Sequence, residues 1–341
     1  MIAPPRRYTG DMRYGLFAAA LVLLFSPIIS AAQSLGDLSG SDPFTVSVTP
    51  QYPAPYSQAT LSFVSSALNL TNATMTVSIA GKETYRGNVQ PVSVALGKAG
   101  SVTKATITIS SGGVSQKQTV SIQPQDVALV VEPVSSAPPL YPGKPFIPLE
   151  GDSRVVAVAN LRSTGGKPLD PTTLSYLWTV DGAQIASASG IGKEAVLVAS
   201  PLQHRSRSVS VMVTSQDGAL IGGDSISLVP LAPSVRIYEN DPLLGIRYGR
   251  TLSGSFAMNG AETTLFAAPF SFPTTSGEPS VQWFLNGAEA QTGPAITLRP
   301  AGNGRGSASL SLVVSADDYA RAAAELLLSF GAAPGFSFFG L

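Results

Sequence analysis

Apolar and polar residues alternate strictly along several short segments of this chain. In the first of them Phe44, Val46 and Val48 alternate with hydroxyl-bearing residues. This period of two is typical of a β-strand with one buried face, because a slip of one residue would turn the apolar set into water. The alternation recurs in four further segments, residues 73–79, 104–109, 209–213 and 310–314. The pattern therefore predicts an all-β protein.

One stretch near the end of the chain departs from this period. Residues 317–328 resemble a helix, since the alanines at 322–324 are strong helix formers. Residues 326–330 are equally compatible with a last strand that is reached through a short turn. The sequence leaves both interpretations open.

A repeat appears in the positions of the two tryptophans. Trp178 and Trp283 each lie in mid-strand, three residues before a hairpin-type turn, Asp181-Gly182 and Asn286-Gly287 respectively. Val77 occupies the same place in a weaker copy. Trp178 follows Val77 by 101 residues, and Trp283 follows Trp178 by 105 residues. We predict that all three side chains face the cores of successive domains of about 100 residues.

Residues 175–182 and 280–287 look like strand C of immunoglobulin-like and PKD-like repeats. The chain lacks the cysteine pair of antibody domains, which fits bacterial Ig-like or PKD-like repeats better. From residues 45–50 through 238–243 to 338–341, the sequence also resembles uncharacterised exported proteins of candidate-phylum, ultra-small bacteria. These resemblances imply tandem immunoglobulin-like β-sandwich domains after an N-terminal signal helix, and a role in the envelope or at the surface.

The repeat and the prolines between its copies predict three domains, at residues 41–124, 125–230 and 231–341. The joints at 123–125 and 230–233 are short and contain proline, which favours a semi-rigid rod. The second and third domains share a long insertion near their start, at residues 133–150 and 239–256. Six prolines in the first insertion suit loops or edge strands better than central strands.

Residues 1–32 match the three-part pattern of an export signal. Arg6, Arg7 and Arg13 precede an apolar run of about 15 residues, and small residues follow at 30–32. We predict cleavage after Ala32. Because the run is shorter than the ~20 residues that span a bilayer, the alternative is an uncleaved signal-anchor. Either way we expect an extracytoplasmic protein that is secreted, periplasmic or at the cell surface.

Composition narrows the possible functions. Lys plus Arg and Asp plus Glu both number 21, so the formal net charge is zero, and only 12% of residues are charged. Without a basic surface we expect no binding of nucleic acid. The absence of cysteine excludes disulfides, thiolate catalysis and cysteine-based zinc sites. We expect no cofactor, and a membrane contact only through the N-terminal segment.

Few residues offer catalytic chemistry. His204 is the sole histidine, and it lies among arginines and serines before a strand, so we interpret it as an exposed loop residue. Two carboxylate pairs, Asp317 with Asp318 and Glu150 with Asp152, are the nearest candidates for glycoside hydrolysis or calcium binding. Neighbouring acidic residues more often cap a helix or bend a turn. We therefore predict no catalytic and no metal site.

Aromatic and amide residues suggest possible contact surfaces. The two tryptophans could stack on sugars if exposed, but their alternation with polar neighbours favours the core. Tyr52 and Tyr56, with two prolines between them, form either a corner between strands or a contact surface. Asn69 and Asn72 match glycosylation sequons, although they fit a turn equally well.

Export, tandem domains and the lack of catalytic residues favour one function. We expect a structural or adhesive, non-catalytic module whose partners are envelope or surface proteins, glycans or further copies of itself. An exposed strand edge would allow such assembly. The first alternative is a carbohydrate-binding or accessory module, which requires exposed aromatics on one face. The second is a hydrolase, which requires a cleft with convergent titratable groups.

Overall fold

The computed structural model describes residues 44–258, 260–301, 305–317 and 319–331. The predicted signal segment with its cleavage site at Ala32, the residue Asp318 and the C-terminal residues 332–341 lie outside them. This part of the chain consists of 24 strands and two 3-10 turns. It contains no helix long and apolar enough to cross a membrane. The predicted all-β fold is confirmed.

The first sandwich has two antiparallel sheets. One has the strand order β1-β2-β5 and the other the order β4-β3-β6-β7. Leu61, Met75, Ile107 and Ile109 project from the facing sheets into one core, together with the fully buried Val77. The strands are β1 (Thr45–Thr49), β2 (Gln58–Val64), β3 (Thr74–Ile79), β4 (Lys82–Asn88), β5 (Val92–Ala95), β6 (Thr103–Ser111) and β7 (Val114–Ile122).

The second sandwich repeats this arrangement. Its sheets have the orders β8-β9-β13 and β11-β10-β14-β15, and β12 adds to β10. Trp178 of β10 lies at the centre of the core, opposite Val211 of β14. The strands are β8 (Asp126–Val134), β9 (Asp152–Asn160), β10 (Ser175–Val180), β11 (Ala183–Gln184), β12 (Gly190–Ile191), β13 (Ala195–Ala199), β14 (Arg207–Thr214) and β15 (Ile221–Leu228).

The third sandwich adds two elements. Its sheets have the orders β17-β16-β19-β22 and β18-β24-β23-β20-β21, and β18 runs parallel to β24. Trp283 of β20 lies in its core. The strands are β16 (Ser234–Asp241), β17 (Gly245–Ile246), β18 (Gly254–Met258), β19 (Thr263–Phe270), β20 (Ser280–Leu285), β21 (Ala288–Thr292), β22 (Ala295–Leu298), β23 (Gly306–Ala316) and β24 (Ala320–Phe330).

The helical interpretation is wrong, because residues 320–328 belong to β24, and the alternative of a last strand over residues 326–330 is confirmed. The strand pairs with β23 along its whole length, from Gly306↔Phe330 to Ala316↔Ala320. Leu326 and Leu328 enter the core while Leu327 between them faces outward. The preference of alanine for a helix is weak, and pairing with a long neighbouring strand outweighs it.

The three sandwiches share a core arrangement. One sheet of each contains a unit of three strands, β1-β2-β5, β8-β9-β13 or β16-β19-β22, and the facing sheet carries the central Val or Trp. In the third sandwich β17 adds to the first of these sheets and β18 to the second. Such Greek-key pairs of antiparallel sheets are the architecture of immunoglobulin-like domains. The chain is therefore a tandem array of immunoglobulin-like β-sandwiches. The boundaries that we placed at residues 124 and 230 stay predictions.

Candidate functional site

The second and third sandwiches are joined by residues 135–151, here called the joint loop. The loop follows β8 and pairs with the segment after β19. Ser136 donates its backbone N–H to the carbonyl of Phe272 at 2.8 Å, and Ser271 donates to the carbonyl of Ser136 at 3.3 Å. The hydroxyl oxygen of Ser136 accepts the N–H of Phe272 at 3.2 Å. The start of the joint loop thereby forms a short antiparallel bridge to the segment that follows β19.

Ser271 joins three segments at this place. Its hydroxyl donates to the carbonyl of Leu231 at 2.8 Å and lies 3.3 Å from the carbonyl of Ile147. Leu231 in turn donates its backbone N–H to the carbonyl of Ile147 at 2.9 Å. Ser271 is buried and has a φ of 63°, a backbone conformation that costs energy for a residue other than glycine. The linker between the domains is thus held on both sides by hydrogen bonds.

An aromatic cluster forms around Tyr141 of the joint loop. Tyr141 contacts Phe270 edge to face, with ring centroids 5.1 Å apart, and Tyr248 at 5.8 Å. Tyr248 also packs on Tyr238 at 5.2 Å and donates its hydroxyl to the carbonyl of Pro139 at 2.6 Å. Burial raises the pKa of Tyr248. The two insertions that we recognised in the sequence therefore bind each other, which their proline content alone did not indicate.

Two open clefts lie beside the joint loop and share Leu149 and Gln203 as lining residues. One, of about 470 Å³, is lined by His204, Arg205 and Ser206. The other, of about 500 Å³, is lined by both domains, with residues that include Glu150, Asp317 and Tyr319. Binding sites occur preferentially at such places between domains.

The clefts hold an unusual share of strained backbone. Glu150, His204 and Asp317 have φ values of 55°, 62° and 50° respectively, in the left-handed region. Such residues persist where the surrounding structure enforces them, and they concentrate at functional sites. The larger cleft also has an exposed aromatic wall, because Tyr319 is 80% accessible.

Of the two predicted carboxylate pairs, the one of Asp317 with Asp318 lies partly outside the described residues. Glu150 lines the same cleft as Asp317, whereas Asp152 accepts the hydroxyl of Thr275 at 3.0 Å. His204 is exposed, and the cleft it lines contains no carboxylate. Over residues 44–258, 260–301, 305–317 and 319–331, no three acidic or histidine side chains form a group that could hold a metal ion.

Trp178, Trp283 and Val77 lie inside the three cores. Trp178 donates its indole N–H to the carbonyl of Lys193 at 2.8 Å, and Trp283 donates to Gly293 at 2.9 Å. Both are fully buried, so neither is available to stack on a sugar. The two tryptophans thus make the same kind of hydrogen bond, from the indole N–H to a backbone carbonyl, and each precedes a hairpin turn.

The two tyrosines of the predicted cluster, Tyr52 and Tyr56, lie in different environments. Tyr52 lies against the second domain, where a Cβ atom on Gly223 would be 2.5 Å from its ring. Burial raises the pKa of Tyr52, whereas Tyr56 stays exposed. Gly100 makes a second close approach between the first and second domains, since its Cβ would lie 2.6 Å from the carbonyl oxygen of Arg162. Asn69 accepts the N–H of Thr71 and forms a turn.

No known protein family and no curated protein matches this sequence. Similar solved structures include the three N-terminal domains of the highly immunogenic outer capsid protein (Hoc) of bacteriophage RB49, at 14% identity over 85% of this chain and 99% of that chain, with a TM-score of 0.23. The central fibronectin-III array of RIM-binding protein has 9% identity over 86% and 100%, with a TM-score of 0.26. The fibronectin(III)-like modules of Clostridium thermocellum CbhA have 11% identity over 60% and 95%, with a TM-score of 0.23. Scores this low carry no conclusion about function.

Proposed function

We propose that this protein is an exported cell-envelope or surface protein that acts as a structural or adhesive, non-catalytic module. The observation that carries the proposal is the joint between the second and third sandwiches, which hydrogen bonds and aromatic contacts hold together. The PKD-like subtype of the repeats and the kinship with exported proteins of ultra-small bacteria belong to the same proposal.

The joint favours a spacing role because it fixes one domain against the next. Backbone hydrogen bonds of Ser136 and Leu231, the buried hydroxyl of Ser271 and the Tyr141 cluster all join the two sandwiches. Domains that are joined only by a linker move freely, whereas a joint with hydrogen bonds and apolar contacts holds an orientation. A fixed orientation is what a protein needs to hold a partner at a set distance.

Catalysis has less support than spacing. The two clefts are open, and the carboxylates of the larger one have no nearby histidine in its lining. A general acid or base must lie within hydrogen-bond reach of the group with which it exchanges a proton. The exported location rests on the signal pattern of residues 1–32 and on the low charge of the chain.

Protease shaving of intact cells tests the location and the exposed role together. Peptides released by the protease would be identified by mass spectrometry, with a cytoplasmic protein as the control for lysis. Recovery of peptides from residues 126–328 supports a module outside the cell. Release only after rupture of the envelope would contradict adhesion and favour a periplasmic scaffold.

A second candidate function is carbohydrate binding at the larger cleft. Tyr319 provides an exposed ring, and Gln203, Glu150 and Asp317 provide hydrogen-bonding groups around it. Rings of this kind stack on sugar faces while polar groups orient the hydroxyls. Titration with neutral oligosaccharides, followed by tyrosine fluorescence, would detect binding. Tyr319→Ala should abolish it, and Tyr56→Ala, at an exposed tyrosine elsewhere, should not.

A further inference from the structure

The last strands of the three sandwiches, β7, β15 and β24, occupy equivalent places. Each pairs with the strand before it, which in turn pairs with the strand that carries the central valine or tryptophan. On its other side each last strand has an edge whose backbone N–H and C=O groups are available to one more strand. The three domains differ in what lies on that edge.

In the third sandwich β18 fills the edge, since it runs parallel to β24 over five residue pairs. β18 also contributes to the core, because Met258 is buried there and Phe256 packs against it. These two side chains are two positions apart and therefore point to the same side of the strand. The added strand thus supplies both backbone pairing and two apolar side chains.

In the second sandwich β8 runs beside β15 and takes the equivalent place. A Cβ atom on Gly222 would lie 2.9 Å from a methyl group of Val127. Two residues further along both strands, Leu129 donates its backbone N–H to the carboxylate of Asp224 at 2.9 Å. Because the residue numbers rise together, the two strands are parallel here as well. Asp224 acts as a side-chain acceptor for the neighbouring strand.

In the first sandwich the edge is open. Within the described part of the chain, β7 pairs with β6 and with no other strand. Gln118 of β7 occupies the position of Asp224. Each is the second cross-strand neighbour of the central residue of its sheet, Val77 or Trp178. The side-chain oxygen of Gln118 is buried and has no hydrogen-bond partner among the described residues, although an unpaired buried oxygen is costly.

The turn before β7 determines which of its backbone groups face the open edge. Residues 112–113 are two glycines with positive φ that form a two-residue hairpin turn. The residues that flank such a turn exchange hydrogen bonds, and bonded and non-bonded pairs alternate from there. Gln118 therefore bonds to β6 through its backbone, whereas Lys117 and Thr119 direct their N–H and C=O groups to the open edge.

One segment of the chain has the pattern that this edge requires. Residues 335–341 lie outside the described part, and their sequence is Gly-Phe-Ser-Phe-Phe-Gly-Leu. Phe336 and Phe338 are separated by one serine, as Phe256 and Met258 of β18 are separated by one alanine. None of the seven residues is charged and none is proline, so the segment is suited to an inner position beside a sheet.

Along the molecule this segment does not reach β7 of its own chain. Ala320, at the start of β24, lines the cleft that the third sandwich shares with the second, so Phe330 lies about 33 Å beyond the joint. Residues 332–341 span at most about 36 Å when extended, which brings them back only to the joint. The second sandwich, whose strand β9 is about 26 Å long, still separates them from the first.

We propose that residues 335–341 of one copy add to the open edge of β7 in another copy, as a strand parallel to β7. Phe336 and Phe338 enter the side of the first core, and the oxygen of Gln118 accepts a backbone N–H as Asp224 does. In strand addition the main-chain hydrogen bonds give affinity, and pockets for alternate side chains give specificity. Because the two surfaces belong to different domains, the copies join head to tail into a filament.

This inference deepens the structural role proposed above and rests on it for its biological sense, but its test does not depend on location. The full chain, in the form that the expressing cell releases, would be followed by sedimentation velocity from about 1 to 100 μM. The donor variant is Phe336→Ser with Phe338→Ser. The acceptor variant is Thr119→Pro, which removes one N–H from the open edge and keeps the pairing with β6.

Thr119→Val is the matched control for the acceptor variant. Both substitutions remove the hydroxyl of Thr119, which lies 3.2 Å from that of Thr106, but only proline removes the backbone N–H. We expect the wild type and Thr119→Val to increase in mass with concentration. The donor and acceptor variants should each assemble about tenfold more weakly or not at all. Mixed in equal amounts, these two variants should form a dimer and nothing larger, because one intact donor and one intact acceptor remain between them.

Several results would overturn the proposal. They are a wild type that stays monomeric over the whole range, a donor variant that assembles like the wild type, and a mixture that forms no dimer. Loss of assembly in Thr119→Val equal to that in Thr119→Pro would also contradict strand pairing. If proline unfolds the first sandwich, the mixture still decides, because residues 335–341 of that variant remain intact. A shaving result that contradicts surface exposure leaves all these outcomes unchanged.

Discussion

Replacing Tyr141 by alanine should uncouple the second domain from the third without unfolding either. Tyr141 belongs to the joint loop, yet its ring makes its aromatic contacts with residues of the third sandwich, Phe270 and Tyr248. The core of neither sandwich contains it. The substitution therefore removes contacts between domains and leaves the contacts within each core in place.

The loss can be worked out from the contacts. Each edge-to-face pair contributes about 0.5–1.5 kcal/mol beyond burial, so the two pairs contribute about 1–3 kcal/mol. Removal of the half-buried ring exposes roughly 50–100 Å² of apolar surface, which at about 25 cal/mol per Å² adds about 1–2.5 kcal/mol. The coupling between the domains should thus fall by about 2–5 kcal/mol.

Differential scanning calorimetry measures this coupling. The wild-type second and third domains should melt together, because each is held by the other. In Tyr141→Ala they should separate into two transitions, since about 1 kcal/mol moves the midpoint of a domain of 60–100 residues by about 4–8 °C. Leu140→Ala is the matched control, because Leu140 precedes Tyr141 directly and is 97% exposed.

Two results would refute the reasoning. One is a Tyr141→Ala trace that keeps the shape and midpoint of the wild type, which would mean that the aromatic cluster couples nothing. The other is an equal change in Leu140→Ala, which would place the effect in the loop backbone and not in the ring.

Three further predictions concern single positions. Gly100→Ala should destabilise the contact of the first and second domains by about 1–3 kcal/mol more than Gly112→Ala in urea unfolding, because both have positive φ but Gly112 has open space around it. Trp178→Phe should cost about 1–3 kcal/mol by removing the indole donor to the carbonyl of Lys193 and part of a fully buried side chain, and the fluorescence of Trp283 should report the third domain unchanged. Burial, with two nearby carboxylates, raises the pKa of Tyr176 from 10.0 to about 12. Because the folded chain holds this proton more tightly, stability should fall as pH rises from 10 to about 12, and urea unfolding of Tyr176→Phe should show a shallower slope, since Tyr52 and Tyr248 still contribute.

The strands were predictable because their signal is local. In β14, Val209, Val211 and Val213 enter the core while serine and methionine between them face the other way, as the alternation required. The turns at Asp181 and Asn286 were equally local, since each needs a positive φ followed by glycine. Residues 326–330 were compatible with a strand, but residues 320–325 could not be assigned from local sequence, because alanine favours a helix and only the pairing with β23 makes this part a strand.

The joint was beyond sequence reasoning for a different reason. Ser136 and Phe272 are 136 positions apart, and neither segment carries a sequence pattern that identifies the other as its partner. The prolines around Tyr141 indicated a loop but not what the loop contacts. The grouping of Glu150 with Asp317 in one cleft depends on the same docking, so the predicted pairs of neighbouring carboxylates missed it.

The parallel pairing of β18 with β24 determines how the third sandwich would respond to tension. Once pulling has drawn out β16, the load passes to β18, whose five residue pairs with β24 lie along the direction of force. These five pairs are loaded at the same time and must separate together. Strands that are pulled apart perpendicular to their axes separate one residue pair at a time. In the first sandwich the first and last strands lie in different sheets and share no such pairing. We expect the third domain to unfold last in a single-molecule pulling experiment, because forced unfolding follows the height of the unfolding barrier.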